Sequence, residues 1–161
     1  MKIRVGMGFD AHPFSLSGEM RLGGVVIPHG VGLEGHSDGD ALLHAITDAI
    51  LGAAGQGSIG DHFPPTDPQW KGADSAKFLE RAQDLARDRF LVINNIDAVV
   101  VAEAPKIAPH AGKIRERIGE ILGIDPETIN VRGTSTNKMG FPGRGEGVAA
   151  IAVVLLVSPP E

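Results

Sequence analysis

The chain has 161 residues, 15 Lys and Arg against 20 Asp and Glu, a net charge of -5 and no Cys. This length fits one domain over residues 1–161. The lack of Cys excludes disulfides and a thiol nucleophile, and a bound metal would therefore need His and carboxylate ligands. The negative charge argues against a nucleic-acid-binding surface, and the longest apolar run, 148–157, is about half of the ~20 residues that cross a bilayer. We therefore predict a cytoplasmic protein that binds neither nucleic acid nor a membrane.

Hydrophobic periodicity and turn residues predict strands and helices along the whole chain. In chain order, they are strands at 3–9 and 21–27, helices at 37–54 and 74–89, a strand at 96–102, a helix at 110–122, a turn at 125–127, and strands at 129–132 and 148–157. This order predicts an α+β fold, a two-layer sandwich of a mixed β-sheet with helices on one face. The last strand is apolar on both faces, which indicates either a central strand or a strand covered by another subunit.

Glycines and capping residues mark the ends of the predicted elements. The pair at 23–24 breaks the second strand, and Ser37 or Asp38 is expected to cap the first helix. The segments 57–72 and 133–147 are rich in Gly and are predicted to be loops. Long loops in a compact domain are often functional.

A first candidate site begins at the end of the first strand. Asp10 and His12 are two residues apart, so their side chains project to the same face. Taken alone, such a pair is more often part of a turn or a cap. The helix at 37–54 carries a narrow polar stripe on an otherwise apolar surface, formed by Asp40, His44, Thr47 and Asp48. The stripe favours a metal ligand or an acid/base group, and the alternative is a buried, hydrogen-bonded His–Asp pair.

Together, Asp10, His12 and His44 offer two nitrogens and one oxygen. This donor set suits Zn²⁺ and leaves the fourth tetrahedral position open, as catalytic sites require. An open divalent ion beside Gly-rich loops suggests a substrate that carries phosphate. The candidates for supporting these ligands or contacting the substrate are His36, Asp38 and Asp40.

A second polar constellation lies in the loop at 133–147. Its hydroxyls, its backbone amides and Lys138 suit phosphate oxygens, although a plain hairpin loop has the same composition. Arg144 and Glu146 form either a solvated ion pair or a ring of buried charges where subunits meet. The strand end at 102–106 lies where α/β sites often gather ligands, and a plain strand-to-helix turn is the alternative.

Several motifs of this chain occur in the same order in one family. They are GFDAH at 8–12, HSDGD at 36–40 with His44, TDP at 66–68 with KGADS at 71–75, APK at 104–106, and GF at 140–141 with GRGEG at 143–147. With these motifs, the chain closely resembles the 2-C-methyl-D-erythritol 2,4-cyclodiphosphate synthase family of non-mevalonate isoprenoid precursor biosynthesis. The resemblance extends over essentially the whole chain.

The resemblance implies a homotrimer with active sites at the subunit interfaces, where Asp10, His12 and His44 hold Zn²⁺. The family converts 4-diphosphocytidyl-2-C-methyl-D-erythritol 2-phosphate to 2-C-methyl-D-erythritol 2,4-cyclodiphosphate with release of CMP, which makes it a phosphorus–oxygen lyase. The 2-phosphate oxygen attacks the β-phosphorus. A second divalent ion, Mg²⁺ or Mn²⁺, bridges the phosphates, and a channel along the threefold axis can hold an isoprenoid diphosphate.

The same resemblance assigns roles to individual residues. Ser135, Asn137 and Lys138 are implied as catalytic residues near the phosphates. The implied substrate-binding residues are His36, Ser37, Asp40, Ser58, Asp67, Ala102, Pro105, Lys106, Ile107, Ala108, Gly133, Thr134, Phe141 and Arg144. Within this set, Ala102 and the residues at 105–108 match a cytosine-binding loop, and Gly133, Thr134 and Ser135 join it. Arg144 and Glu146 match residues that line the channel.

The chain departs from the family pattern at three positions. Asn137 stands where the family usually has a Glu that ligates the second metal, and a neutral amide is a weaker ligand for a hard cation. Ser58 and Pro65 each replace a frequent Asp in the substrate loop, where Asp61 is close enough to compensate. Two alternatives therefore stay open: a zinc-dependent phosphoesterase that uses a metal-bound hydroxide, and a catalytically weak trimer that binds isoprenoid diphosphate.

Overall fold

A computed structural model describes residues 1–159 of the chain. The strands are β1 (Ile3–Ser15), β2 (Met20–Leu22), β3 (Val25–Ile27), β4 (Gly32–Leu33), β5 (Val92–Val101), β6 (Ile129–Thr134) and β7 (Gly147–Val157). The helices are α1 (Ala41–Ala54), α2 (Ile59–His62), α3 (Ser75–Arg87), α4 (Ala111–Leu122) and α5 (Gly140–Gly143). Short 3-10 turns lie at Pro68–Trp70, Ala108–His110 and Pro126–Thr128.

Five strands form one mixed sheet in the order β4-β1-β7-β5-β6. β5 and β6 are parallel, whereas β7 runs antiparallel to both β1 and β5. The predicted α+β class with a mixed sheet is therefore confirmed. The predicted strand at 21–27 is instead a hairpin of β2 and β3, because Gly23 and Gly24 both adopt positive φ, at 66° and 74°, and reverse the chain.

The core lies between the sheet and the helices. α1 is buried on nearly every side because it packs against β1 and β7 below it and against α3 beside it. A helix that is apolar all round is typical of such a central position. On β7, the side chains that alternate toward α1, from Val148 to Leu156, are buried. Among residues 1–159, no helix combines the length and the apolar character needed to span a membrane.

The opposite face of the sheet carries exposed apolar side chains. Ile3, Val5, Met7 and Phe9 on β1 are 59%, 69%, 71% and 57% exposed, and Val153 on β7 is 39% exposed. Both explanations for the apolar last strand thus have a basis, because β7 is central in the sheet and yet its outer face is not covered by this chain.

Two glycines let β1 and α1 approach each other closely. A β-carbon on Gly6 would lie 1.9 Å from the carbonyl oxygen of Ala49, and one on Gly8 would lie 1.9 Å from that of Ala45. Any larger residue would force the helix away from the strand. Asp10 and His12 follow on the same face of β1, so this close approach brings them level with the N-terminal half of α1.

The predicted start of the first helix is wrong by four residues. α1 begins at Ala41, and its N-cap is Asp40, whose carboxylate accepts a hydrogen bond from the Leu43 amide at 3.0 Å. Gly39 just before it has a φ of 72°, which does not continue a helix. Ser37 and Asp38 therefore lie in a loop. The predicted helix end is confirmed, because Gly55 caps α1 in a left-handed conformation.

Candidate functional site

β1 and α1 bring together the three predicted metal ligands. The Asp10 Oδ2 atom lies 2.7 Å from His12 Nε2 and 2.9 Å from His44 Nδ1, and the two ring nitrogens are 3.3 Å apart. The three ligand atoms all lie within 4.8 Å of one another, which is close enough for one ion. Two imidazoles and one carboxylate fit Zn²⁺ and leave a position for a substrate oxygen.

Charge at the cluster favours a cation. Burial alone would raise the pKa of Asp10, but the hydrogen bonds with His12 and His44 outweigh it and lower this pKa to about 2. Burial likewise acts to lower the pKa of His12, and the hydrogen bond to Asp10 reverses the effect and raises it. Asp10 is therefore ionised at neutral pH and supplies a fixed negative charge.

A pocket of about 250 Å³ opens beside this cluster. It is lined by His12, His36, Ser37, His44, Ile59, Gly60, Phe63, Pro65, Trp70 and Phe78. The structure thus brings His36 and Ser37 next to the metal cluster, and the Ser37 Oγ lies 3.0 Å from His44 Nε2. The lining combines polar side chains with a group of aromatic side chains, Phe63, Trp70 and Phe78, which we call the apolar wall.

The apolar wall was not predicted from the sequence. The rings of Phe63 and Phe78 have centroids 4.4 Å apart, and the ring of Trp70 meets that of Phe63 edge-on at 5.0 Å. Phe78 belongs to an amphipathic helix and is indistinguishable in the sequence from an ordinary core residue. Trp70, the only Trp of the chain, lies in the middle of a polar loop, and this position was the one feature of the sequence that could have indicated an apolar surface there.

A second cavity, of about 260 Å³, lies at the carboxyl ends of β5 and β6. It is lined by Ala102, Pro105, Lys106, Ile107, Ala108, Gly133, Thr134 and Ser135. The structure therefore gathers in one place all the residues assigned to the cytosine-binding loop and its neighbours. Small side chains and the hydroxyls of Thr134 and Ser135 suit a flat polar group that is recognised by hydrogen bonds.

Glu103 organises the loop that carries Asn137 and Lys138. Its Oε1 atom accepts hydrogen bonds from the backbone amides of Lys138 at 2.9 Å and Thr136 at 3.3 Å. Asn137 and Lys138 both adopt positive φ, at 53° and 66°, which such side chains rarely adopt without support. In the sequence, Glu103 was part of the candidate strand end at 102–106, but nothing linked it to a loop more than thirty residues later.

The predicted polar stripe on α1 is wrong except for His44. Asp40 is fully buried, and its carboxylate accepts hydrogen bonds from the amides of Gly23 and Gly24 as well as that of Leu43. It holds the β2–β3 turn onto the start of α1, and because it is 0% exposed a substrate does not reach it. The Thr47 hydroxyl donates to the Leu43 carbonyl, and Asp48 accepts from the Ile59 amide.

The remaining predicted residues lie outside both cavities in the described chain. Ser58 caps α2, where the Asp61 carboxylate accepts from its amide at 2.9 Å, and Asp67 caps the turn at Pro68–Trp70. Arg144 and Glu146 form an exposed ion pair at 2.6 Å. Phe141 lies in α5, at 36% exposure.

The Asp10–His12–His44 cluster and the second cavity open at the same end of the sheet. Asp10 pairs with Ala150 of β7, which pairs with Val100 of β5, which pairs with Gly133 of β6. Three strand spacings separate Asp10 from Gly133, or about 14 Å. The two cavities share no lining residue within one chain.

Residues 3–157 match the family model of the YgbB family. The chain belongs to the YgbB family. A YgbB-family relative from Ectopseudomonas mendocina, named 2-C-methyl-D-erythritol 2,4-cyclodiphosphate synthase, is 52% identical over 155 residues, which cover 96% of this chain and 99% of the relative. The family predicted from the motifs is confirmed.

Several relatives are longer, bifunctional proteins, and this chain spans about two fifths of their length. The bifunctional enzyme IspD/IspF of Caulobacter vibrioides strain NA1000 / CB15N is 55% identical over 156 residues, which cover 97% of this chain but 41% of that protein. The solved structure of the bifunctional IspDF from Campylobacter jejuni superposes with a TM-score of 0.93 at 43% identity, covering 96% of this chain and 42% of that one. The structure of IspF from Plasmodium falciparum in complex with CDP gives a TM-score of 0.86 at 36% identity, covering 98% of this chain and 97% of that one.

Proposed function

We propose that the chain is a metal-dependent 2-C-methyl-D-erythritol 2,4-cyclodiphosphate synthase, which makes a cyclic diphosphate and releases CMP in non-mevalonate isoprenoid precursor biosynthesis. The observation that carries this proposal is the Asp10–His12–His44 cluster, which opens at the same end of the sheet as a cavity of small residues. The first would hold a cation for a diphosphate, and the second would offer hydrogen-bonding groups to a base. A full-length relative with this activity in its name supports the assignment.

The reaction needs positioning more than it needs a protein nucleophile. The 2-phosphate oxygen of the substrate forms a bond to the β-phosphorus, and the bond from that phosphorus to the oxygen of the α-phosphate breaks, so that CMP leaves with the bonding electron pair. Holding both ends of one flexible molecule makes attack by its own phosphate faster than attack by water. The absence of Cys from the chain fits this mechanism.

Each half of the substrate has a matching surface. The cavity at 102–108 and 133–135 would hold the cytidine, and a related structure was solved with CDP bound. His36 and Ser37, beside the aromatic wall, would hold the methylerythritol end. Ser135, Asn137 and Lys138 would contact the phosphates between them, with their loop held by Glu103. Ser58 and Asp67 would join the site from the turns that they cap, and Phe141 from α5.

Asp10, His12 and His44 would hold Zn²⁺, which in that position polarises the diphosphate and neutralises charge that builds up on it. Near Asn137, a second ion, Mg²⁺ or Mn²⁺, would neutralise charge on the substrate phosphates. Because the side chain of Asn137 is neutral, this second ion would depend more on substrate oxygens than on the protein.

A homotrimer would cover the exposed sheet face and complete the active sites. The row of Ile3, Val5, Met7 and Phe9 is a continuous apolar surface of the kind that is seldom left in water. The Asp10–His12–His44 cluster and the second cavity are about 14 Å apart in one chain. Active sites at subunit interfaces would therefore pair the cluster of one copy with the second cavity of the next. Arg144 and Glu146 would line the central channel, where an isoprenoid diphosphate can bind.

We also propose that residues 1–161 act as a single cyclodiphosphate synthase domain in the cytoplasm. The test is steady-state turnover by the purified, zinc-loaded protein with 4-diphosphocytidyl-2-C-methyl-D-erythritol 2-phosphate. We expect CMP and the cyclic diphosphate in equal amounts. A linear methylerythritol product would instead favour a zinc phosphoesterase, and binding of isoprenoid diphosphate without any turnover would favour a binding protein.

A further inference from the structure

The second ring nitrogen of His44 is held inside the protein by a buried hydroxyl. While Nδ1 faces the Asp10–His12 cluster, Nε2 lies 2.7 Å from the Oγ of Ser75. Ser75 is the first residue of α3 and is 0% exposed. Its contact with His44 therefore excludes water, and the Ser75 hydroxyl has a fixed set of neighbours.

Asp38 fixes the direction of the hydrogen bond at Ser75. Its Oδ1 atom accepts a short hydrogen bond from the Ser75 hydroxyl, and its Oδ2 atom accepts one from the Ser75 amide at 2.9 Å. A carboxylate only accepts hydrogen bonds, so the single hydroxyl proton of Ser75 points to Asp38. The lone pairs of Ser75 Oγ are then left for His44, and the Nε2–H of the ring must be the donor.

This direction determines which nitrogen of His44 is free to bind metal. Without metal, Nδ1 donates its proton to the Asp10 carboxylate. When a metal ion replaces that proton, it meets the Nδ1 lone pair, because the proton that stays on the ring is held at Nε2 by Ser75. Nδ1 is the atom that faces Asp10 and His12. The Oγ of Ser37, at 3.0 Å, is compatible with the same arrangement because it can also accept from Nε2–H.

We propose that Asp38 and Ser75 are positioning residues that hold His44 in the Nε2–H tautomer and aim its Nδ1 lone pair at the metal. The inference rests on the proposed zinc site, adds Ser75 to it and gives Asp38, a candidate from the sequence, a defined contact; neither residue lines the pocket beside the cluster. Asp38 also accepts from the amide of Asp40, so it ties the loop before α1 to the start of α3. The chain from Asp38 through Ser75 to His44 therefore links ring orientation to the packing of two helices.

The test measures the affinity of the purified full chain for Zn²⁺ alone, by competition with a chromogenic chelator. Ser75→Ala is expected to weaken zinc binding by about 10- to 100-fold, as loss of a partner behind a metal ligand commonly does. Asp38→Asn is expected to weaken it in the same direction, because Asn has a single accepting oxygen and puts an NH₂ donor in place of the second oxygen that Asp38 uses toward Ser75. Thr47→Val is the matched control, since it removes another fully buried hydroxyl from the helix that carries His44.

A second readout follows the His44 ring proton directly. In zinc-loaded wild-type protein, NMR should detect an Nε2–H resonance of His44 that is protected from exchange with water, and Ser75→Ala should lose that protection. If Ser75→Ala does not fold by circular dichroism, Asp38→Asn decides the question. If both variants bound zinc as tightly as Thr47→Val does, the positioning role would be overturned. The proposed function would still stand in that case, provided that the wild type releases CMP. A wild-type protein that binds no zinc would overturn the positioning role and the metal site together.

Discussion

The close approach of β1 to α1 makes the metal site sensitive to one methyl group. Gly8 lies under Ala45, the neighbour of His44, and two residues before Asp10. In Gly8→Ala the new β-carbon would start 1.9 Å from the Ala45 carbonyl oxygen, whereas real β-carbons essentially never come closer than 3.0 Å to another atom. The strand and helix must therefore separate locally by at least about 1.1 Å, the difference between these two distances, at a typical overpacking cost of about 1–3 kcal/mol.

A shift of this size should also remove the geometry of the metal site. Metal–ligand distances tolerate changes of only about 0.2 Å, so displacing His44 relative to Asp10 should weaken zinc binding by more than tenfold, or about 1.4 kcal/mol. Unfolding of the metal-free protein in urea, at fixed protein concentration, measures the packing cost, and chelator competition measures the zinc affinity.

Gly52→Ala is the matched control on the same helix. A β-carbon there would lie 3.9 Å from the nearest atom, the Cα of Gly6, which is ordinary contact. Because Ala favours a helix interior over Gly, this variant should be more stable by up to about 1 kcal/mol and should bind zinc normally. If Gly8→Ala matched Gly52→Ala in both stability and zinc affinity, the approach of β1 to α1 would not be what places the ligands.

Four further outcomes are expected. His44→Ala should leave the assembly folded but lose bound zinc, and CMP release should fall more than about 100-fold, beyond the loss typical of a supporting contact; a metal-free variant with full activity would rule the site out. Asn137→Glu should lower the magnesium concentration for half-maximal activity by about tenfold, because it adds a charged ligand; an unchanged titration would place the second ion elsewhere. Met7→Asp puts a charge on the exposed sheet face, so native mass spectrometry should find single folded chains of the variant and the proposed trimers of the wild type, and an intact variant trimer would contradict that interface. In the metal-free protein, the lowered pKa of Asp10 adds roughly 2 kcal/mol to the free energy of unfolding. This contribution is present above pH 3.8, the ordinary pKa, and is lost as the pH falls toward 2. Asp10→Asn should lack this loss in acid unfolding curves, and identical curves would refute the ion pairing.

The sequence predicted those parts of the structure that depend on local chemistry. Asp10 and His12 share a face because alternation along a strand is a local property, and Gly55 ends α1 because of its own backbone preference. The residues of the second cavity came from motif resemblance, and the structure gathers them at the ends of two neighbouring strands.

Long-range contacts account for what the sequence did not predict. Asp40 has the spacing of a site residue, but its carboxylate is taken up by a hairpin turn that lies far from it in sequence. Ser75 closes the KGADS motif and Glu103 lies in the strand end at 102–106, but neither pattern predicts the contact with His44 or Lys138, each more than thirty residues away. The aromatic wall of Phe63, Trp70 and Phe78 likewise forms only when a loop folds over a helix.

In the proposed reaction the substrate's own phosphate, and not water, attacks the β-phosphorus beside the Asp10–His12–His44 cluster. The most direct measurement is turnover in ¹⁸O-labelled water by zinc-loaded protein, followed by mass spectrometry of both products. We expect a cyclic diphosphate and CMP that both lack ¹⁸O. Label in a linear methylerythritol phosphate, or in CMP, would mean that water accepts the phosphoryl group and would refute the intramolecular cyclisation.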